Sequence, residues 1–333
     1  MIRALMVVLA MTTACARAQA PGARPPDPDR FKPTTRPVIH DPSTVVKWKG
    51  MYYVYGTGRG ITVYSSPDSV TWTRQPSVFA AIPEDVHAVV PLNNGTDVWA
   101  PDIVRVGGLF YLYYAVSKWD SFVSAVALET NPTLDPNDSG YKWTDRGVVV
   151  RSDGVEDLNA IDPGVVVAPD GRMWICYGSY HGTIQMIELD PKTGLRIAPQ
   201  SQVWVIAKGS EASDIIFHGG FYYLFVNHGS CCQGKKSTYN IRVGRSRTVT
   251  GPYVDRAGEP LTKAPGELFL ASDERRIGPG HFGRLVEDGV ERFSLHYEAD
   301  LDNNDRPTLD VRPLRWSGDG WPVAGDHAAG GGP

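Results

Sequence analysis

Lys49-Gly50-Met51-Tyr52-Tyr53-Val54-Tyr55 reads as a glycine-containing turn that opens into a short strand of aromatic and β-branched residues. The same unit returns as Gly107-Gly108-Leu109-Phe110-Tyr111-Leu112-Tyr113 and as Asp170-Gly171-Arg172-Met173-Trp174-Ile175-Cys176. It returns again as Gly219-Gly220-Phe221-Tyr222-Tyr223-Leu224-Phe225 and as Asp288-Gly289-Val290-Glu291-Arg292-Phe293-Ser294-Leu295. The turn glycines 50, 108, 171, 220 and 289 lie 58, 63, 49 and 69 residues apart. Between the copies lie further strand candidates, such as 60–66 and 240–246, and no long segment has helical periodicity. A unit of about four strands repeated at this period describes a propeller blade. A β-sandwich would lack the repeat. The expectation is an all-β chain: a five-bladed β-propeller over residues 38–325 with a central funnel.

The innermost strand of each blade lines the axis, so the residues just before each glycine matter. Asp41, Asp162 and Glu211 each stand nine residues before their glycine, Asp102 six and His281 eight. One Asp ahead of a strand is ordinary turn chemistry. Five polar groups at nearly one phase, four acidic and one imidazole, predict convergence on the axis. Crowded, enclosed carboxylates raise one another's pKa, so one can hold its proton while another is ionised. Glycoside hydrolysis needs that division: an acid for the leaving oxygen and a base for water. A metal site of carboxylates and His281 is the other chemistry these residues permit.

Composition narrows the partners. A net charge of -4 and the absence of a basic stripe argue against nucleic acid. Nine Trp and fifteen Tyr exceed what a core requires, and some are candidates for stacking on a ligand. Residues 1–20 read as a signal peptide: Arg3, the apolar run 4–11, and the small-residue patterns at 16–18 and 18–20. Cys15 after Thr12-Thr13-Ala14 offers lipoprotein processing as the alternative. Either route predicts a secreted or periplasmic protein. Residues 21–37 are a proline-rich leader and 326–333 a flexible tail, and no later stretch is a transmembrane candidate. Cys176, Cys231 and Cys232 cannot make a disulfide framework, and no cysteine or histidine spacing suggests zinc. Adjacent cysteines would form a strained bridge, which favours reduced or structural thiols. A monomer is the default.

Eight stretches, in order, resemble glycoside hydrolase family 43 and in particular its arabinanases. They are His40-Asp41-Pro42, Trp99-Ala100-Pro101-Asp102, Asn159-Ala160-Ile161-Asp162-Pro163, Ser210-Glu211-Ala212-Ser213 and Cys231-Cys232-Gln233-Gly234, then residues 237–246, Thr250-Gly251-Pro252-Tyr253 and Gly278-Pro279-Gly280-His281. The resemblance implies an inverting hydrolase of α-1,5-linked L-arabinofuranosyl bonds. Asp41 would be general base, Glu211 general acid, and Asp162 the residue that raises and orients the acid. Inversion implies carboxylates about 6.5–9.5 Å apart, leaving room for water. His281 resembles the arabinanase histidine that faces a calcium ion near the axis, largely through water. Trp99, Asp102, Asn159 and Ser179 are the expected substrate contacts.

Three departures fall where subsites are built: Ala212-Ser213 after the acid, Ser179-Tyr180-His181 after the third inner strand, and Asn227-His228-Gly229-Ser230 before the paired cysteines. They leave open an exo-acting α-L-arabinofuranosidase or other furanosidase, with loop-rich residues 80–96, 130–160 and 227–239 closing one end. A non-catalytic carbohydrate-binding propeller is the rival from another class; the three carboxylates argue against it.

Overall fold

The computed structural model describes residues 31–327. The expected signal peptide, the leader up to residue 30 and the tail from 328 lie outside the described residues. Five antiparallel sheets follow one another along the chain, each built in sequence order from the axis outward. Blade 1 runs through Val46–Trp48, Met51–Gly56, Thr62–Ser66 and Thr73–Gln75. Blade 2 runs through Asp97–Val106, Leu109–Val116, Val123–Asn131 and Thr144–Asp153. Blade 3 comprises Gly164–Val167, Met173–Tyr177, Thr183–Leu189 and Trp204–Lys208. Blade 4 comprises Glu211–His218, Phe221–His228, Asn240–Ser246 and Glu267–Leu270. Blade 5 comprises Arg276–Glu287, Val290–Asp300, Arg306–Trp316 and Pro322–Ala324. The expected five-bladed propeller is the fold.

The quoted aromatic runs are the second strand of each blade, and strand geometry explains their all-apolar character. Successive side chains point to opposite faces, and both faces of a blade are covered by neighbours. Tyr53 and Tyr55 pack toward blade 2 with Phe110, Leu112 and Tyr114, whereas Tyr52 and Val54 pack toward Leu285 and Leu309 of blade 5. Tyr111 and Tyr113 meet Met173 and Ile175, Trp174 and Cys176 meet Leu224 and Val226, and Tyr223 and Phe225 meet Phe282 and Phe293. The core is thus five interblade clusters that close a ring, each fully buried large side chain stabilising it by roughly 1.5–3 kcal/mol.

Two features depart from the sequence reading. The leader's end is part of the ring: Thr34 pairs with Trp72 of blade 1 and Val38 with Thr308 of blade 5, joining first blade to last. Two of the three stretches read as loop-rich hold regular structure, a short helix at Glu84–Val89 and the outer strand Thr144–Asp153. The helix falls short of the window that periodicity needs, and the outer strand, polar at one end, lacks the aromatic signature.

Candidate active site

Each blade sends one residue with positive φ to the axis: Asp41 (49°), Ala100 (40°), Asp162 (54°), Ala212 (52°) and His281 (52°). Non-glycine residues rarely adopt this conformation, and Asp and His tolerate it better than most. In blades 2, 4 and 5 it coincides with a register shift, between Trp99 and Asp102, Glu211 and Asp214, and Gly280 and Gly283. Such bulges re-aim a side chain at a strand end. In blades 1 and 3 the following residue is Pro42 or Pro163, which has no N–H to give to a ladder.

This fivefold landmark corrects the register read from glycine spacing. Asp41, Asp162 and His281 share it, Glu211 stands one residue before it and Asp102 two after. Glu211 therefore aligns with His40 and Trp99, while Asp102 aligns with Ser43, Gly164, Asp214 and Gly283. Counting from a turn missed this because a bulge adds a residue between turn and axis. Backbone approaches closely at the Asp102 level: a Cβ on Gly164 would lie 2.0 Å from Ser213 O. Asp102 spans that level as a staple, accepting from Thr44 N–H at 3.0 Å and Val165 N–H at 2.9 Å.

Asp41 is buried among imidazoles. His40 Nδ1 lies 2.8 Å and His281 Nε2 3.3 Å from its Oδ1, and Thr57 Oγ1 donates to its Oδ2. Burial pushes its pKa up, but His40, His281 and His296 outweigh that and hold the carboxyl well below the usual range. Burial lowers His281 to about 4, against the pull of Asp41. His40 is therefore the working cation: burial opposes its charge, but Asp41, Cys232 and Glu298 raise its pKa well above normal.

Across the funnel the environment reverses. Burial lifts Glu211 to about 7, with Tyr239 opposing and the charge of Asp41 assisting. Tyr239 O–H donates to Glu211 Oε1 at 2.8 Å. Asp162 is raised well above normal by burial, then by the charges of Glu211 and Asp41, although Ala212 N–H donates to its Oδ2 at 3.2 Å. These three expected residues are thus brought together. Trp99 is half-buried with its ring edge-on to Trp119, which is 64% exposed on the rim. Asn159 and Ser179 are buried and joined at 3.4 Å, and Asn159 also accepts from Ser124 Oγ at 2.6 Å. The sequence reading gave no role to His40, Thr57, Tyr239, His296 or Glu298. His40 and Tyr239 sat inside quoted motifs; Thr57, His296 and Glu298 had no local signal.

Below the carboxylates, an axial cavity of about 20 Å³ is lined by Asp102, Asp162, Ser213, Asp214 and His281, among others. That is room for about one water or ion. Burial and then the charge of Asp102 push Asp214 well above normal, and the buried Ser213 hydroxyl has no hydrogen-bond partner. Repelling carboxylates with a spare hydroxyl are donors that suit a hard cation.

Residues 32–322 match the profile of glycosyl hydrolases family 43. An extracellular exo-α-(1→5)-L-arabinofuranosidase of Cellvibrio japonicus is 37% identical over 302 residues, 85% of either chain. An extracellular endo-α-(1→5)-L-arabinanase of Bacillus subtilis is 34% identical over 295 residues, 86% of this chain and 87% of its own. The structure of a Cellvibrio cellulosa α-L-arabinanase complexed with arabinohexaose superposes with a TM-score of 0.82 at 34% identity, covering 87% of this chain and 96% of the other. The chain belongs to glycosyl hydrolases family 43 and is a glycosidase.

Proposed function

We propose that this chain hydrolyses α-1,5-linked L-arabinofuranosyl bonds of arabinan with inversion, using Asp41 as general base, Glu211 as general acid and Asp162 as modulator. The observation that carries the assignment is the opposite treatment of carboxylates across one funnel. Asp41 is held ionised and can take a proton from the attacking water. Glu211, lifted to about 7, holds a proton for the leaving glycosidic oxygen near neutral pH. Attack at the anomeric carbon breaks the glycosidic bond in a single displacement; solvent then reprotonates Glu211 and deprotonates Asp41. Glu211 and Asp162 repel each other's charge, so the two do not ionise together. Trp99 would offer a face to a sugar ring, and Asn159 and Ser179 would meet substrate through their remaining hydrogen-bond capacity.

Asp102, Ser213, Asp214 and His281 would hold a calcium ion, directly or through water. Bound there, it would supply positive charge that orders the funnel floor and lowers nearby acids. Secretion through the residues 1–20 signal accords with the extracellular description of both relatives. Among the described residues no helix is long and apolar enough to cross a membrane.

Exo action is the second reading, favoured by the activity of the Cellvibrio japonicus relative. The Tyr180 hydroxyl also donates to Asn227 O and Gly229 O, tying the loops of blades 3 and 4 together. The product profile on linear arabinan tests both: mixed oligomers mean endo action, monomer alone means exo. Release of neither, with none from an aryl arabinofuranoside, overturns the arabinan assignment. Proton NMR of the first product shows inversion; retention would remove Asp41 as base.

A further inference from the structure

We propose that Cys231, Cys232, Glu298 and His40 form a site for one thiophilic divalent cation of the zinc class, separate from the axial cavity. The inference goes beyond the hydrolytic reading and does not require it. The two cysteines lie on a loop cinched at its base, where Ser230 N–H donates to Thr238 Oγ1 at 3.0 Å and Ser237 Oγ donates to Ser230 O at 2.7 Å. Their sulfurs are 2.7 Å apart, and both lie within 4.8 Å of a Glu298 carboxylate oxygen. His40 completes the set. Its Nε2 lies 3.2 Å from Oε1 of Glu298, the carboxylate shared with the thiol side of the cluster.

Two thiolates, a carboxylate and an imidazole are the donors that tetrahedral zinc takes, with ligand bonds of about 2.0–2.3 Å. Donor atoms around such an ion are about 3.3–3.8 Å apart by that geometry. The sulfurs must therefore open by about 1 Å and the carboxylate close in, which rotation of the half-buried Cys231 and exposed Cys232 on their loop and of Glu298 on its strand supplies. The support behind His40 is already built. Its Nδ1 faces Asp41 Oδ1 at 2.8 Å, leaving Nε2 as the ligand atom. Histidines that hold metals almost always donate their other N–H to a carboxylate or carbonyl in this way.

His296, beside Glu298, is not a ligand. Its Nδ1 accepts from Asp41 N–H at 3.2 Å, which places the ring proton on Nε2. That fully buried Nε2 lies 3.7 Å from Glu298 Oε1 and has no hydrogen-bond partner. Glu298 thus meets His40 on its histidine side and faces two thiols on the other. Loading replaces the thiol protons and any proton on His40 Nε2 by one divalent charge. Because His40 touches Asp41, an occupied site is expected to slow hydrolysis. That corollary alone rests on the proposed activity.

The test uses the full chain, reduced and stripped of metal, titrated with Cd²⁺ and with Zn²⁺. One equivalent of Cd²⁺ should raise a thiolate-to-metal absorption that excess Ca²⁺ does not remove. Cys231→Ser with Cys232→Ser should abolish the band. Glu298→Gln and His40→Gln should each weaken Zn²⁺ binding about 10–100-fold. Cys176→Ala, which alters a buried thiol outside this cluster, should change neither. If the double variant does not fold, alkylation of the wild-type chain decides: Zn²⁺ should protect Cys231 and Cys232 from maleimide. No band in the reduced wild type, a band that survives loss of both cysteines, or no protection overturns the proposal.

Discussion

The funnel has two sides that treat the same functional group in opposite ways. On the side of blades 1 and 5, Asp41 lies against His40, His281 and His296, and its carboxyl stays ionised despite burial. On the side of blades 3 and 4, Glu211 and Asp162 lie near one another, and burial raises both. Enclosure alone would have raised all three. The imidazoles on one side only turn three buried acids into one ionised carboxylate and a proton-holding pair.

Removing the proton from the raised side should have the largest effect. Glu211→Gln is expected to cost about 10²–10⁴-fold in kcat on arabinan. The loss should be smaller on an aryl arabinofuranoside, whose leaving group needs less protonation; equal losses would mean that Glu211 is not the acid.

The next test moves the two sides relative to one another. The proposed roles require Asp41 ionised and Glu211 protonated, so kcat/KM should fall as pH rises through about 7 and hold steady in moderate acid. Replacing His40 by Gln removes the working cation beside Asp41, so the acid limb should move upward by about one pH unit or more. The basic limb should move much less. A limb that stays in place would show that His40 does not set the charge of Asp41.

A third experiment asks whether the level below takes part in the contrast or only supports it. Asp102→Asn presents an NH₂ to one of two backbone N–H donors, at Thr44 or Val165. A loss of about 1–3 kcal/mol in unfolding free energy is expected, with KM little changed. A large rise in KM without loss of stability would make Asp102 a substrate contact, as the sequence reading expects. The smallest effect is expected from Tyr239→Phe, which removes a donor that favours ionised Glu211. The basic limb should then shift slightly upward with a rate loss of a few fold; a downward shift would contradict the geometry.

Much of this architecture was legible in the second strands. Tyr52 to Tyr55 and Phe110 to Tyr113 carry both interblade faces in consecutive residues, so burial on two sides is written locally as an unbroken apolar run. The carboxylates were legible for a similar reason, since Asp41 and Asp162 precede an inner strand and Glu211 opens one, each nine residues before a turn glycine. Their exact levels were not. The shifts at 99/102, 211/214 and 280/283 insert a residue that spacing cannot see, and Asp102 was therefore placed with the wrong tier.

The five-bladed plan and the identity of its axial acids were determined by the sequence alone, because repetition and strand period are local properties. The tertiary structure alone decided how those acids are charged and what lies beside them. His40 meets Glu298 across 258 residues, and Cys232 reaches the same cluster from another blade. No spacing rule for metal or acid–base sites spans such separations. Ring closure brings those donors together, and the low-dielectric interior makes their charges decisive.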